Sequence, residues 1–311
     1  MAKILITESV HPIGPELLTA AGHTVVYADR DMDIIRREIV DADAVLVRII
    51  ELPGSLLATA KNLKIVSKHG VGYDNIDLDY CKSHGVAVTI TPNANSLSVA
   101  EHAFTLMLTL AKNIIPVSNE YRTVGFAAKN HAPGIEMTGK TLGLIGMGRI
   151  GKHVLHMCKD GMDMHVIVYD PYISEVPEGV EKVDDLSELL RRADVVTLHC
   201  LLTDETRKLI DRERLALMKP TALLINCARG PIVDEAALIE ALENGRLAGA
   251  GLDGTDPEPV APDSPLFKLP NVIVTPHYAP TTVESATRVS KIAAENINAV
   301  LAGQEPVGRI V

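Results

Sequence analysis

Lys140-Thr141-Leu142-Gly143-Leu144-Ile145-Gly146-Met147-Gly148-Arg149-Ile150-Gly151 is the stretch that decides the fold. Residues 141–145 read as a short buried strand, G-x-G-x-x-G follows at once, and Lys152-His153-Val154-Leu155 continues in a helical pattern. In that order the glycines have separate jobs. The first permits a tight turn, the second lets backbone N–H groups approach a pyrophosphate at the helix N-terminus, and the third lets helix and strand pack closely. The next strand, residues 165–170, ends in Asp170, nineteen residues beyond Gly151. A carboxylate there accepts hydrogen bonds from the adenosine ribose and repels a 2′-phosphate, which selects NAD over NADP. The segment therefore reads as a dinucleotide-binding βαβ unit, with Gly146, Gly148, Arg149, Ile150, Gly151 and Asp170 at the cofactor.

Working outward, the same rhythm of short apolar strands and amphipathic stretches runs both ways. Downstream, strands are expected at 164–169, 194–198, 222–226, 249–252 and 272–275, with helices at 187–192, 212–218 and 235–244, the last closed by Gly245. Upstream, strands at 4–7, 24–27, 44–47, 64–67 and 86–90 alternate with helical stretches at 13–21, 34–40, 56–60 and 78–83. The breaker cluster Thr91-Pro92-Asn93-Ala94-Asn95 closes this first series. Ser98 and Glu101 stand at capping-box spacing before an apolar run to Ala111, predicting a long helix that starts at Ser98 and serves an inter-domain or inter-subunit contact, or is simply buried. The final segment, 282–302, has helical spacing and is placed to return to the first domain. The fold expected is α/β: two open parallel-sheet Rossmann-like domains with a cleft between them, 1–95 plus 283–311 for substrate and 96–282 for NAD.

Composition narrows the partners. With 30 basic against 40 acidic residues the chain carries −10, so nothing in the balance favours nucleic acid. No run approaches the roughly 18 apolar residues of a membrane span. The N-terminus meets Glu8 and then His11-Pro12 too early for a secretory signal. Cys81, Cys158, Cys200 and Cys227 are scattered without a C-x-x-C pair, which favours reduced core thiols over disulfides or a metal site. A soluble, unprocessed, cytoplasmic chain without a metal is the expectation.

Three strand ends carry the chemistry. Arg229 follows strand 222–226 within Asn226-Cys227-Ala228-Arg229-Gly230, Glu258 follows 249–252 within Asp253-Gly254-Thr255-Asp256-Pro257-Glu258-Pro259, and His277 follows 272–275 in Thr275-Pro276-His277. Open α/β sheets build their sites at the carboxyl ends of strands. Hydride transfer to a 2-oxo acid needs a fixed cation for carbonyl and carboxylate, an acid for the forming alkoxide, and a partner that keeps that acid protonated. Arg229, Glu258 and His277 supply those types. In the first domain, Lys68-His69-Gly70-Val71-Gly72-Tyr73-Asp74 follows a strand and can point consecutive N–H groups of Gly70, Val71 and Gly72 at one anion. Arg48, also at a strand end, reads either as a contact to a second anionic group of the substrate or as a surface arginine.

Together these motifs resemble the NAD-dependent D-2-hydroxyacid dehydrogenases, nearest the branch of the D-3-phosphoglycerate dehydrogenases. The likeness also takes in Ser98-Val99-Ala100-Glu101-His102, and it spans nearly the whole chain, with Arg229, Glu258 and His277 at spacings of 29 and 19 residues. It implies that Arg229 orients and polarises the substrate, that Glu258 and His277 form the acid/base dyad, and that no metal takes part. It further implies that Asp253, Cys227 and Ala228 meet the nicotinamide end, that His199, Cys200 and Thr206 line the cofactor cleft, and that the enzyme is a homodimer. For a chain ending at Val311 it implies no serine-binding regulatory module, hence no feedback inhibition by serine.

The chain departs from the pattern at Tyr278-Ala279-Pro280, at Leu201 and at Ile49-Ile50-Glu51, which bears on substrate identity within the phosphoglycerate and hydroxypyruvate/glyoxylate types and leaves the hydride chemistry untouched. Three alternatives stand beside the leading one: an NAD-sensing interaction protein on the same fold, a formate dehydrogenase, which pairs its histidine with Gln where Glu258 stands here, and a phosphite dehydrogenase.

Overall fold

The computed structural model describes residues 1–130 and 132–311. They form two units, Met1–Asn95 with Pro280–Val311, and Ser96–Ala279.

The first unit holds five parallel strands, β1 (Lys3–Ile6), β2 (Thr24–Tyr27), β3 (Ala44–Val47), β4 (Ile65–Lys68) and β5 (Ala87–Thr89), in the order β2-β1-β3-β4-β5. Strand β3 is buried at every residue, as a strand covered on both faces must be. Alternation divides the side chains. Ile4, Ile6 and Leu46 face Leu18, Ala293 and Ile297 on one side, whereas Leu5, Val45 and Val47 face Ile35, Ile39 and Cys81 on the other. The first of these layers is built partly by the C-terminal helix Val283–Leu301, capped at its start by Thr282. Gly14 on the helix Ile13–Ala20 permits the close approach, since a Cβ there would stand 2.7 Å from the Ser290 carbonyl oxygen. The terminal residues add bonds beside β5, Ile90 N–H to Gly308 and Val88 N–H to Val311.

The second unit holds seven parallel strands, β6 (Thr141–Ile145), β7 (His165–Tyr169), β8 (Val180–Lys182), β9 (Val195–Leu198), β10 (Leu223–Asn226), β11 (Gly249–Leu252) and β12 (Val272–Val274). Their order is β12-β11-β10-β9-β6-β7-β8. The strand order reverses between β6 and β9, the switch point at which doubly wound sheets open a crevice for ligands. Leu142, Leu144, Val166 and Ile225 pack on the helices Ser96–Ala111 and Arg149–Met162 through Leu106, Met107, Val154 and Cys158. Ile167, Val196, Leu198 and Leu224 pack on the opposite layer with Leu189, Leu190 and Leu238.

The long helix begins at Ser96, so Ser98 and Glu101 lie within it and do not cap it. Its Ala103, Leu106 and Met107 are buried in the core of its own unit, while Leu97 on the same helix is exposed. The apolar surface lies one helix later: Ile114–Val124 buries none of its residues, and Ile114, Tyr121 and Phe126 are among the most exposed apolar side chains. Among the described residues no helix is long and apolar enough to cross a membrane.

Candidate active site

The glycine turn after β6 is shaped by close approaches. Gly146 has φ +89°, and a Cβ on it would meet the backbone of His199 and Cys200 at 2.7–2.9 Å; only glycine allows the turns after β6 and β9 to lie so near. A Cβ on Gly151 would come 2.3 Å from the Gly146 carbonyl oxygen, which fixes the helix against the strand. Gly148, by contrast, has open space where a Cβ would stand. It is also the N-cap of Arg149–Met162 and brings no side-chain acceptor to the helix N–H groups. Asp170 accepts the Met147 N–H at 2.9 Å on Oδ2 and the Tyr172 N–H at 3.0 Å on Oδ1. The carboxylate is thereby fixed beside the turn, with lone pairs left for further donors.

His199 follows β9. Its Nε2 lies 2.8 Å from Thr197 Oγ1, and its buried Nδ1 has no partner among the described residues. Burial pushes the ring down to about 3, so it is neutral near pH 7. Burial also pushes the Cys200 thiol up to about 11, and burial with Asp253 nearby raises Cys227 well above the ordinary thiol range, which makes both unreactive. Thr206 stitches its own turn, donating to the Leu201 carbonyl at 2.6 Å and accepting the Thr203 N–H at 2.7 Å. The uncapped helix start, the open side of Gly148, the fixed Asp170 and the orphaned Nδ1 of His199 fit a dinucleotide.

The three catalytic candidates sit on neighbouring strand ends. After β10, Asn226 clamps its own turn, its Oδ1 taking the Ala228 N–H at 3.0 Å and its Nδ2 donating to the Arg229 carbonyl at 2.9 Å. Arg229 Nη1 donates to the Ala228 carbonyl at 3.0 Å. A Cβ on Gly230 would fall 2.0 Å from the Thr255 carbonyl oxygen, so the turn bearing Arg229 lies directly on the loop bearing Glu258. Glu258 Oε1 lies 2.8 Å from His277 Nδ1. His277 itself adopts φ +52°, a left-handed conformation that β-carbon sterics disfavour and that a side chain retains only where its surroundings enforce it. Its N–H donates to Asp253 O at 3.1 Å and Thr275 O at 3.0 Å.

Asp253, assigned by resemblance to the nicotinamide end, is buried, with its carboxylate turned to the segment 275–279. It accepts from Thr275 Oγ1 at 2.5 Å, Tyr278 N at 2.7 Å and Ala279 N at 2.9 Å. No sequence signal distinguished this use of the residue from an open carboxylate.

In the first unit, the loop after β4 differs in detail from the nest expected. Gly70, at φ +142°, turns its N–H back to the Lys68 carbonyl at 3.0 Å and gives its own carbonyl to Thr91. That leaves Val71 and Gly72 with N–H groups that have no acceptor among the described residues. Glu8, Lys68 and Asn75, none of them among the expected site residues, hold the neighbourhood. Buried Glu8 accepts the N–H groups of Arg48 at 2.7 Å and Ile49 at 2.9 Å. Lys68 Nζ joins the Arg48 carbonyl to Asn75 Oδ1, and Asn75 Nδ2 reaches Ile50 O at 2.7 Å. Arg48 Nη1 donates to Ser9 O at 2.9 Å. Glu8 and Arg48 stand at the ends of β1 and β3, the switch point of a sheet in this order. Burial, with Arg48 and Lys68 nearby, pushes His69 down to about 3.

Residues 104–279 match the family model for the D-isomer specific 2-hydroxyacid dehydrogenase, NAD binding domain. The chain belongs to the D-2-hydroxyacid dehydrogenase family. It is 42% identical over 308 residues to a D-3-phosphoglycerate dehydrogenase of Methanocaldococcus jannaschii, covering 98% of this chain and 58% of that protein, so it spans little more than half of that relative. A glyoxylate reductase of Thermofilum pendens is 37% identical over 98% of this chain and 93% of its own length. The crystal structure of D-lactate dehydrogenase from Aquifex aeolicus complexed with NAD and lactic acid superposes with a TM-score of 0.88 at 32% identity over 96% of each chain.

Proposed function

We propose that the protein is an NAD-dependent oxidoreductase that interconverts a small 2-oxo acid and its D-2-hydroxy acid. The single observation that carries this reading is the 2.8 Å contact between Glu258 Oε1 and His277 Nδ1. A carboxylate only accepts, so Nδ1 holds a hydrogen and Nε2 is the atom that gives or takes the substrate's proton. Bound NADH supplies the hydride to the C2 carbonyl. His277 protonates the oxygen as it becomes an alkoxide, Glu258 fixes the ring and stabilises its charged form, and Arg229 offers a planar double donor to carbonyl and carboxylate. The N–H groups of Val71 and Gly72 are assigned to the substrate carboxylate, and Arg48 to a further polar group.

The residues suited to the cofactor are Gly146, Gly148, Arg149, Ile150 and Gly151 at the pyrophosphate and Asp170 at the ribose, with His199, Cys200, Cys227 and Ala228 as wall. We further propose a cytoplasmic homodimer. Four unpaired cysteines support a reducing compartment, and the exposed Ile114, Ile115, Tyr121 and Val124 on the helix Ile114–Val124 support a second subunit; light scattering at twice the chain's 33.5 kDa checks the latter.

The test is NADH consumption over glyoxylate, hydroxypyruvate, phosphohydroxypyruvate, pyruvate and larger oxo acids. Turnover of at least one small oxo acid, with NADH preferred to NADPH, is expected. Tight NADH binding with no turnover across the panel would overturn the catalytic reading in favour of a sensor.

A further inference from the structure

A second imidazole stands behind His277. His102 projects from the helix Ser96–Ala111, with its Nε2 3.0 Å from Thr275 Oγ1 and 3.5 Å from Asp253 Oδ1. Thr275 Oγ1 is in turn 2.5 Å from Asp253 Oδ1. The direction of these bonds follows from valence. Asp253 accepts from the N–H groups of Tyr278 and Ala279, and a carboxylate in that setting has no hydrogen to give, so Thr275 gives its single hydroxyl hydrogen to Asp253. Thr275 Oγ1 is then an acceptor toward His102, and His102 Nε2 must be the donor.

The chain therefore runs one way, from His102 Nε2–H to Thr275 to Asp253, and ends on the carboxylate that ties down residues 278 and 279. Asp253 O and Thr275 O meanwhile hold the His277 N–H. The left-handed backbone at His277 is thus fastened from both sides by residues that His102 orients. The His102 ring also meets the Tyr278 ring edge-on, centroids 6.1 Å apart.

We propose that His102 is a positioning residue for His277: by donating through Thr275 to Asp253 it holds the turn that aims the proton-carrying imidazole. This rests on the reading of His277 given above. It calls for a hydrogen-bond donor at position 102, and no contact of His102 with substrate or cofactor is involved.

The experiment compares wild type with His102→Leu, His102→Gln and Thr275→Val in full-length protein. For the best oxo acid of the panel, His102→Leu is expected to lower kcat about tenfold, the scale of a small misalignment at a reacting group. Its NADH dissociation constant, read by fluorescence quenching, stays within about twofold of wild type, because the change acts on alignment and not on cofactor binding. His102→Gln, whose amide nitrogen can donate to the same oxygen, recovers most of the loss, and Thr275→Val reproduces it. Imidazole nitrogen NMR reads the same point without turnover: one set of His277 ring signals in wild type and His102→Gln, broadened or doubled signals in His102→Leu.

An unchanged kcat in folded His102→Leu overturns the proposal, and so does a Gln variant as impaired as the Leu variant. Should His102→Leu fail to fold, Thr275→Val and His102→Gln decide by the same criteria. If wild type turns over no oxo acid, the catalytic reading fails by itself, and the His277 spectra alone uphold or overturn the positioning role.

Discussion

Under the proposed function, the ends of the two sheets serve different chemistry with different materials. In Ser96–Ala279 the working groups are side chains: an imidazole on a left-handed backbone, a carboxylate against it and a guanidinium on the adjoining turn. In Met1–Asn95 they would be the backbone N–H donors of Val71 and Gly72, which have no acceptor among the described residues, while Glu8 and Lys68 are occupied in fastening loops. Moving a proton requires a titratable atom at one point. Recognising a carboxylate requires only converging donors, which main chain provides without the cost of burying a further charge. Yet each unit keeps a neutral, half-buried histidine beside its loop, His69 in one and His199 in the other.

That division can be broken by substitution. The largest effect is expected from His277→Asn, which removes the titratable atom: turnover falls about 10²–10⁴-fold, while NADH binding changes little. Stopped-flow turnover beside fluorescence titration checks this, and parallel losses in both would erase the distinction drawn between the chemistry and the cofactor turn. Val71→Pro deletes one main-chain donor from the other loop. A hydrogen bond to a charged group is worth about 1.5–3 kcal/mol, so KM for the oxo acid should rise about tenfold or more with kcat nearly kept. A fall in kcat with constant KM would mean that this loop acts on the chemistry.

A last effect concerns what the units share. Both rings titrate near 3 when folded against an ordinary 6.5 when unfolded. Between those values the unfolded chain binds the extra proton, so stability is full above about pH 6.5 and declines as pH drops, by about 1.4 kcal/mol per pH unit for each histidine. Denaturant titrations at pH 7.5, 6 and 5 should reveal the decline. His69→Asn should flatten it for the first unit and His199→Asn for the second; a stability independent of pH across that range would contradict both neutral rings.

Much of this was legible in the residues themselves, for identifiable reasons. Strands Ala44–Val47 and Gly249–Leu252 fall where the apolar runs place them, because a strand covered on both faces is a continuous hydrophobic word between breakers. Strand β8 escaped notice: Val180-Glu181-Lys182 is an edge of three residues with one apolar side chain. The helix expected over 212–218 stops at Leu215, ahead of Lys219-Pro220. At the site, Arg229, Glu258 and His277 could be found as the right types after successive strands, and the Glu–His contact joins the loops that leave the adjacent parallel strands β11 and β12. Glu8, Asp253 and His102 were not assigned these tasks, since a carboxylate or imidazole that fastens a turn looks, in one dimension, like any other polar residue at an element's end. Gly70 erred in the opposite sense, because glycine permits a nest or an inward fold alike.

One consequence follows from the return of helix Val283–Leu301 to cover Ile4, Ile6 and Leu46. During synthesis strands β1–β5 emerge before Val283–Leu301 and lack part of the lining of one face until that helix leaves the ribosome. At about 5–20 residues per second, they wait roughly 10–40 s. The intervening segment, which carries all seven of its own strands, can consolidate meanwhile. The order of birth along the polypeptide is thus the reverse of the order of maturation.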